Sequence, residues 1–255
     1  MGWRDRFEAR PSALCVGLDP MAEKLPRGVG LLDFCLEAIA LAAPFAACFK
    51  PNAAFFEREG PEGMRAFAEV LRAIRERGFP SIADVKRGDV GSTAEAYADA
   101  YFGGPFDADA ITLNAGIGLD AVEPFRRRAR ERDRGAILLL RTSNPGAGRF
   151  QDAAEPALVE AIRREPAFGA VVGATDAAAG KRLRAALPDT LFLVPGFGAQ
   201  GGGDLGAFFD PRGRGAVVNS SRAILFAGEG KGDWRAAMRD AARAAHDAIE
   251  EARRR

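Results

Sequence analysis

Short apolar runs recur along the chain, and longer amphipathic segments separate them. The runs are almost continuously apolar, which is typical of parallel strands that are covered on both faces. The segments between them have the periodicity of amphipathic helices. The pattern predicts strands at 13–18, 45–50, 81–86, 109–114, 136–141, 169–174, 191–196 and 215–220, and helices near 31–43, 62–77, 93–102, 119–132, 154–164, 176–187, 204–209 and 232–253.

Eight strand–helix units in 255 residues are the number found in a (β/α)₈ barrel. We therefore predict the α/β class and a single TIM-barrel domain over residues 1–255, because no linker or internal repeat divides the chain. An open doubly wound sheet is the alternative. It usually has fewer strands and a glycine-rich turn after the first one.

The composition argues against several classes of partner. A net charge of +1 gives no global attraction to nucleic acid or to a membrane surface. No apolar run reaches the roughly 20 residues that a membrane span needs, and the amino terminus "MGWRDRFEAR" lacks the apolar core of a secretory signal. Cys15, Cys35 and Cys48 lack metal-type spacing and are predicted to be buried free thiols. A soluble cytoplasmic protein is expected.

The residues available for chemistry are restricted. The one histidine, His246, falls in the predicted last helix, which argues against a Ser-His-Asp triad and a multi-histidine metal site. No GxxxxGK[ST] loop or dinucleotide fingerprint follows a strand. Lysine is rare beside arginine, so Lys50 and Lys86 at strand ends suggest a role for an amine that can release its proton. Carboxylates, amines and backbone groups are expected to do the chemistry.

Polar side chains follow nearly every predicted strand at its carboxyl end, where a TIM barrel has its active site. Their concentration at that one end predicts a site rather than a solvated surface. They are Asp19 after the first strand, Lys50 and Asn52 at the second, Asp84, Lys86 and Asp89 at the third, Asn114 after the fourth, Thr142, Ser143 and Asn144 after the fifth, Gln200 within "GFGAQGGG" after the seventh, and Ser220, Ser221 and Arg222 after the eighth.

The third strand runs into "ADVKRGDVGSTAEAY", residues 83–97, where three charges fall within six positions. Residues two apart on a strand point the same way, so Asp84 and Lys86 should share a face at the mouth of the barrel. Asp89 lies just beyond them in a glycine-containing turn. A further expectation is a capping box of Ser92 with Glu95, at which a helix begins.

These charges have two interpretations. One is a structural ion pair that ties the strand to the following helix. The other is a network of Lys50, Asp84, Lys86 and Asp89, which is favoured because a second buried carboxylate is costly unless a cation compensates it. Carboxylates around an amine keep it cationic and able to donate a proton to a reacting carbon.

"DVKRGDVGSTA" resembles the Asp-x-Lys-x-x-Asp motif of the orotidine 5'-monophosphate decarboxylase family, in the form found in its longer bacterial branch. Further matches follow in order from Asp19 to Arg222 and cover most of the chain. They are "CVGLDP", "FKPNAAFFE", "LLLRTSNPGA", "LVPGFGAQGGG" and "VVNSSRAI". The resemblance implies decarboxylation of orotidine monophosphate to uridine monophosphate in pyrimidine nucleotide synthesis, with no metal and no organic cofactor.

The resemblance also implies catalytic roles. Lys50, Asp84, Lys86 and Asp89 match the family's Lys-Asp-Lys-Asp network. Lys86 would be the acid that protonates C6 of the pyrimidine, and Asp84 would lie against the substrate carboxylate. In the family, the equivalents of Asp89 and Thr93 come from the partner subunit. A homodimer with shared sites is therefore implied.

The nucleotide-binding roles rest on the same resemblance. It implies that Gln200 and Arg222 contact the phosphate, and the loops after the last two strands are the usual phosphate site of a barrel. It also assigns Asp19 and Lys50 to the ribose hydroxyls and Ser143 to the pyrimidine amide edge. Thr142 competes with Ser143 for that last role, and Asn52 faces the same mouth. Asn114 is left without a role, because "NAGIGLD" replaces the Asn-Pro-Tyr that the family often has.

Three rival functions fit parts of the pattern. Sugar-phosphate decarboxylases and synthases of the same superfamily share the motif, but they bind magnesium through an acidic residue on the second strand, where this chain has Lys50. A Schiff-base aldolase could use Lys86, yet neighbouring carboxylates favour the charged ammonium over the free amine that forms an imine. A non-catalytic nucleotide-binding barrel gives no reason for four alternating charges.

Overall fold

The computed structural model describes residues 2–197, 204–230 and 232–254. All strands in these residues belong to one parallel sheet, in the order β2-β1-β8-β7-β6-β5-β4-β3. The strands are β1 (Leu14–Leu18), β2 (Cys48–Pro51), β3 (Ile82–Arg87), β4 (Ala110–Leu113), β5 (Gly135–Arg141), β6 (Phe168–Val172), β7 (Phe192–Pro195) and β8 (Ala216–Ser220). Each of the eight predicted strands is present.

Helices connect the strands and cover the outside of the sheet. They are α1 (Trp3–Glu8), α2 (Leu31–Ala42), α3 (Ala53–Glu57), α4 (Gly60–Glu76), α5 (Gly91–Tyr101), α6 (Glu123–Arg132), α7 (Gly148–Arg164), α8 (Ala177–Ala186), α9 (Arg222–Leu225) and α10 (Trp234–Arg253). Short 3₁₀ turns cover Ala22–Lys24, Asp120–Val122 and Leu205–Phe208.

The sheet closes into a barrel between β2 and β3. Single bridges join the two strands there, Phe49 with Ser81 and Asn52 with Asp84. The backbone N–H of Phe49 also donates to the carbonyl of Pro80 at 3.2 Å. The predicted α/β class and TIM-barrel architecture are confirmed, with this seam as the most weakly paired part of the barrel.

Several predicted elements have different bounds or geometry; α7, for example, begins at Gly148 and not near 154. The second strand begins at Cys48, not at 45, because the N–H groups of Phe45 and Ala46 donate to the carbonyl of Ala42 and so continue the turns of α2. The segment predicted as a helix at 204–209 is the 3₁₀ turn Leu205–Phe208. The short helices α1, α3 and α9 were not predicted.

The amino end of the barrel is plugged by apolar side chains. Trp3 and Phe7 of α1 are buried among residues at or near the starts of the strands, including Cys15 and Cys48. The indole N–H of Trp3 donates to the carbonyl of Pro166 at 3.0 Å. With this end filled, the carboxyl ends of the strands are left as the mouth of the barrel.

Cys15, Cys35 and Cys48 are buried and free, as predicted. Burial raises the pKa of the Cys35 and Cys48 thiols, which keeps them protonated. Across the ranges that the structure describes, no helix combines the length and apolar character needed to cross a membrane.

Candidate active site

Strand β3 bulges where it approaches the mouth of the barrel. Ala83 pairs with Ile111 of β4, and the next pair is Arg87 with Leu113, so four residue steps of β3 face two of β4. Lys86 lies within the bulge with a φ of 47°, in the left-handed region that non-glycine residues rarely adopt. Such a conformation persists only where surrounding contacts hold it.

The turn that follows the bulge requires glycine twice. A Cβ at Gly88 would collide with the carbonyl of Asn114, so the loops after β3 and β4 approach each other closely only because that side chain is missing. Gly91 has a φ of 57° at the first position of α5. Both glycines therefore shape the path from the bulge into the helix.

Lys50, Asp84 and Lys86 form a continuous charged series across the seam between β2 and β3. The ammonium of Lys50 donates to Asp84 Oδ2 at 2.8 Å, and that of Lys86 donates to Asp84 Oδ1 at 2.5 Å. The Lys50 and Asp84 side chains are 4% and 9% exposed, whereas Lys86 is 50% exposed. The bulge interrupts the two-residue alternation from which the contact was predicted, yet Lys86 still reaches Asp84.

Burial and charge oppose each other at both buried members of this series. Burial by itself would raise the pKa of Asp84, but the charges of Lys50 and Lys86 outweigh it and lower that pKa below its ordinary range. Burial would lower the pKa of Lys50, but the charges of Asp84 and Asp19 raise it instead. Asp84 is therefore an anion and Lys50 a cation at neutral pH.

Two residues at or beside the series were not predicted. Thr112 of β4 is buried, and its hydroxyl donates to Asp84 Oδ1 at 3.0 Å. The guanidinium of Arg87 packs behind the bulge, where it donates to the carbonyl of Val85 at 3.1 Å and to Glu57 at 2.6 Å. The one sequence signal for Thr112 is a hydroxyl in the otherwise apolar stretch of β4.

Asp19 and Asn52 lie beside the same end of the barrel. Asp19 directly follows β1, and its Oδ1 atom is buried without a hydrogen-bond donor in the described part of the chain. Leaving a buried carboxylate oxygen unpaired is costly, so this atom is suited to a donor from a ligand. Asn52 caps α3 by accepting from Ala54 N–H at 3.3 Å, which gives it a local structural role.

Asp89 and Thr93 do not join the charged series within this chain. The Asp89 carboxylate accepts from the N–H of Val90 at 2.8 Å, and among the described residues no side chain contact joins it to Lys86. Thr93 is exposed in the first turn of α5. The structure thus brings together Lys50, Asp84 and Lys86 but leaves the fourth predicted charge apart.

The predicted capping box of α5 is wrong. The helix begins at Gly91, with Val90 as its N-cap and no side chain cap. Ser92 is therefore already inside the helix. Glu95 pairs with Arg127 of α6 at 3.0 Å.

After β5, Thr142 and Ser143 differ in the partners of their hydroxyls. The Thr142 hydroxyl donates to Asn144 Oδ1 at 2.6 Å and accepts from Gln151 Nε2 at 2.9 Å. Among the described residues, no hydrogen bond engages the Ser143 hydroxyl, and Ser143 is half-buried. Ser143 is thus the freer of the two to contact a ligand.

Of the two residues predicted to bind phosphate, the structure describes Arg222 but not Gln200. Arg222 begins α9 directly after β8, is exposed, and makes no side chain ion pair with the residues that the structure describes. Gln200, like residues 198–203 as a whole, lies outside the described residues. Asn114 accepts from Gly116 N–H at 2.9 Å and so serves its own loop.

The remaining titratable groups near the mouth offer no metal centre. Within residues 2–197, 204–230 and 232–254, no three His, Cys, Asp or Glu side chains cluster in a way that could hold a metal ion. His246 of α10 contacts the hydroxyl of Ser12 at 3.1 Å, close to the amino end of β1 and away from the mouth.

Comparison with known proteins gives consistent results. The sequence profile of the orotidine 5'-phosphate decarboxylase / HUMPS family matches residues 12–237. Orotidine 5'-phosphate decarboxylase of Roseiflexus castenholzii is 43% identical, over 99% of this chain and 95% of its own. That of Rhodopirellula baltica is 41% identical, over 85% and 84%.

A solved structure agrees with these sequences. The OMP decarboxylase of Leishmania donovani superposes with a TM-score of 0.83 at 34% identity and covers 99% of both chains. The relatives are named as decarboxylases, so the lyase class predicted from the motifs is confirmed at the level of the family. By its profile match, its sequence relatives and its fold, the chain belongs to the orotidine 5'-phosphate decarboxylase / HUMPS family.

Proposed function

We propose that the protein converts orotidine 5'-monophosphate to uridine 5'-monophosphate and carbon dioxide, a reaction of pyrimidine nucleotide synthesis. Family membership supports the reaction, and its relatives bear that name. The observation that carries the proposal for this chain is the charged series Lys50–Asp84–Lys86 at the mouth of the barrel. This series would place the Lys86 cation and the Asp84 anion beside C6, the carbon from which the carboxylate leaves and on which the carbanion forms.

Lys86 is the proposed acid. When the bond from C6 to the carboxylate breaks, its electron pair stays on C6, and no adjacent carbonyl can spread the charge. The Lys86 ammonium stabilises this charge and then transfers a proton to C6 to form the C–H bond. Lys86 is 50% exposed, so water can return the proton to the amine after product leaves.

Asp84 is proposed to face the substrate carboxylate. Lys50 and Lys86 hold it ionised, because their charges lower its pKa despite burial. Repulsion between the two carboxylates would disappear as carbon dioxide departs, which favours the forward reaction. Lys50 has a second proposed role at the ribose hydroxyls together with Asp19, whose unpaired Oδ1 can accept from a hydroxyl.

The rest of the nucleotide is proposed to bind around this series. Ser143 contacts the pyrimidine amide edge, since the hydroxyl of Thr142 is engaged by its neighbours. Arg222 contacts the phosphate, because it is exposed directly after β8 and has no partner of its own in the described chain. Gln200 is proposed as a second phosphate contact, and Asn52 as a lining residue.

A homodimer with shared sites completes the proposal. The large hydrophobic side chains that the described residues leave exposed are Val90, Ile117, Leu119 and Phe150, and all follow β3, β4 or β5. They follow the carboxyl ends of neighbouring strands, as Asp89 and Thr93 do. Exposed apolar side chains of this kind fit a second copy of the chain, which would bring its own Asp89 and Thr93 to this site.

The proposed reaction needs neither a metal nor an organic cofactor. Lys50 of β2 places a buried cation at the mouth of the barrel, and a cation there disfavours a metal. We further propose that the chain is one domain, since its strands share one sheet, and that it acts in the cytoplasm.

The test is the loss of the ultraviolet absorbance of orotidine monophosphate in the presence of EDTA. We expect turnover by the unmodified chain, no detectable turnover by Lys86→Ala, and unchanged turnover by Lys181→Ala, which removes an exposed lysine of α8. Lys86→Ala should still bind uridine monophosphate. Near-native turnover by Lys86→Ala at matched protein concentration would contradict the assignment.

A further inference from the structure

The hydroxyl of Thr112 lies at the centre of the β3 bulge. The backbone N–H groups of Val85 and Lys86 each donate to Thr112 Oγ1 at 2.9 Å, and the same oxygen donates to Asp84 Oδ1 at 3.0 Å. Thr112 itself is only 1% exposed. One buried side chain of β4 therefore touches three consecutive residues of β3.

The direction of these three hydrogen bonds is determined by chemistry. A hydroxyl has one proton to donate and two lone pairs to accept. Two backbone N–H groups can only donate, so they occupy both lone pairs. The single proton must then point to the carboxylate of Asp84, and the hydroxyl of Thr112 is fully used.

The bulge explains why a side chain is needed here. Between the pairs Ala83–Ile111 and Arg87–Leu113, β3 has two more residues than β4, so the regular ladder has no backbone acceptor for the N–H groups in between. Buried N–H groups without acceptors are rare because they are costly. The hydroxyl of Thr112 takes the place of the missing carbonyls, and it also helps to hold Lys86 at its φ of 47°.

We propose that Thr112 is a positioning residue for the reaction, acting through the bulge that presents the Lys86 ammonium and through the carboxylate of Asp84. Its hydroxyl fixes the backbone from which Lys86 extends and the rotation of the Asp84 carboxylate, so that Oδ2 faces Lys50 while Oδ1 faces Lys86. Thr112 does not touch the substrate in this scheme. The inference rests on the proposed function.

This role predicts a particular kinetic signature. The phosphate and ribose contacts lie on other strands, so loss of the hydroxyl should leave nucleotide binding nearly intact. The charges of Asp84 and Lys86 act on the breaking bond, and a displacement of about 1 Å there costs on the order of 100-fold in rate. The loss should therefore appear in kcat and not in ground-state binding.

The experiment compares Thr112→Val, which keeps the shape and removes the hydroxyl, with Thr112→Ser, which keeps the hydroxyl. We expect Thr112→Val to lose at least about 100-fold in kcat and to change the Kd for uridine monophosphate less than about threefold. Thr112→Ser should retain kcat within about tenfold. Thr190→Val, a change at a buried threonine just before β7, should match the unmodified chain.

Hydrogen exchange supplies a second readout that is independent of activity. The amides of Val85 and Lys86 should exchange slowly in the unmodified chain and in Thr112→Ser, and fast in Thr112→Val. If Thr112→Val does not fold, Thr112→Ala takes its place with the same expectations, because it also removes the hydroxyl and places no larger group in the core.

The inference is overturned if removal of the hydroxyl leaves kcat within about threefold, if the serine variant loses as much as the valine variant, or if nucleotide binding falls in parallel with kcat. Absence of decarboxylation by the unmodified chain would instead refute the proposed function. In that case the exchange rates of the two amides still decide whether Thr112 holds the bulge.

Discussion

The Lys50 ammonium and the Asp84 carboxylate form an ion pair of 2.8 Å across the seam between β2 and β3, with side chains only 4% and 9% exposed. In the described residues, the backbone ladder at this seam is reduced to isolated bridges, one of them between Asn52 and Asp84. The pair therefore belongs to the closure of the barrel as well as to the candidate active site. A change at either residue should affect both stability and chemistry.

Lys50→Met should destabilise the protein markedly. It leaves the buried carboxylate of Asp84 with one cation fewer, and breaking a buried pair in this way typically costs about 3–5 kcal/mol. We expect the lower end of that range, because Lys86 and Thr112 still donate to Asp84. The measurement is the free energy of unfolding in urea at matched protein concentration.

The matched control for this change is Lys24→Met. Lys24 pairs with Glu229 at the same 2.8 Å, but those side chains are 34% and 53% exposed. Such surface pairs contribute about 0–1 kcal/mol. Equal losses in the two variants would show that burial adds nothing to the pair at the seam.

The contribution of Asp84 to stability should disappear in acid. Burial would raise its pKa, but the charges of Lys50 and Lys86 lower it below the ordinary value of 3.8. The unfolded chain therefore takes up a proton here at a higher pH than the folded chain does. The stabilisation is fully present above the unfolded pKa and is lost as the pH falls towards the folded one.

Comparison with Asp84→Asn isolates this effect, because asparagine does not titrate. The difference in free energy of unfolding between the two proteins should be constant from about pH 5 to 8 and should shrink below about pH 4. A difference that grows in acid would mean that burial dominates and that the folded pKa is raised.

Arg222→Ala should weaken substrate binding more than it slows the bound complex. A charge-assisted hydrogen bond to phosphate is worth about 1.5–3 kcal/mol, so the KM for orotidine monophosphate should rise about 10- to 150-fold. Binding energy from a distant phosphate can also assist the chemical step, so a smaller fall in kcat is expected. Steady-state kinetics of Arg222→Ala and of Arg239→Ala, an exposed arginine of α10, give the comparison. A fall in kcat at unchanged KM argues against a phosphate contact.

Much of the fold could be predicted because a buried parallel strand leaves a strong signal. Eight apolar runs gave eight strands, and the charges after them gave the contacts among Lys50, Asp84 and Lys86. The bulge in β3 was not predictable, since it depends on a hydroxyl supplied by Thr112 from another strand. The sequence pattern along one strand indicates its periodicity, but it does not indicate which side chain a neighbouring strand places against it.

The start of α5 is a second feature that the local sequence pattern did not predict. Ser92 and Glu95 have the right spacing for a capping box, but Arg127 of α6 pairs with Glu95. The helix begins at Gly91, one residue before Ser92, so the local spacing did not predict where it starts. Asp89 is a related case, because its spacing suggested a contact with Lys86 that the chain by itself does not make.

The placement of Asp89 leads to a prediction about mixed dimers. If Asp89 acts in the site of its partner, Lys86→Ala and Asp89→Ala remove groups of one site that come from different subunits. Each variant alone should be inactive. Mixing them under conditions that exchange subunits should restore about a quarter of the sites, since about half of the dimers are mixed and each has one intact site of its two.

A second mixture provides the control. Asp84 and Lys86 contact each other within one chain, so a mixed dimer of Asp84→Asn and Lys86→Ala has one damaged residue in each site and none intact. That mixture should stay inactive. The first mixture can be active while the second is inactive only if Asp89 contributes to the active site of the partner subunit. If both mixtures are inactive while pull-down through an affinity tag on one variant shows mixed dimers, Asp89 serves its own chain or no site at all. The exposed side chains of Val90, Ile117, Leu119 and Phe150 would then need another explanation.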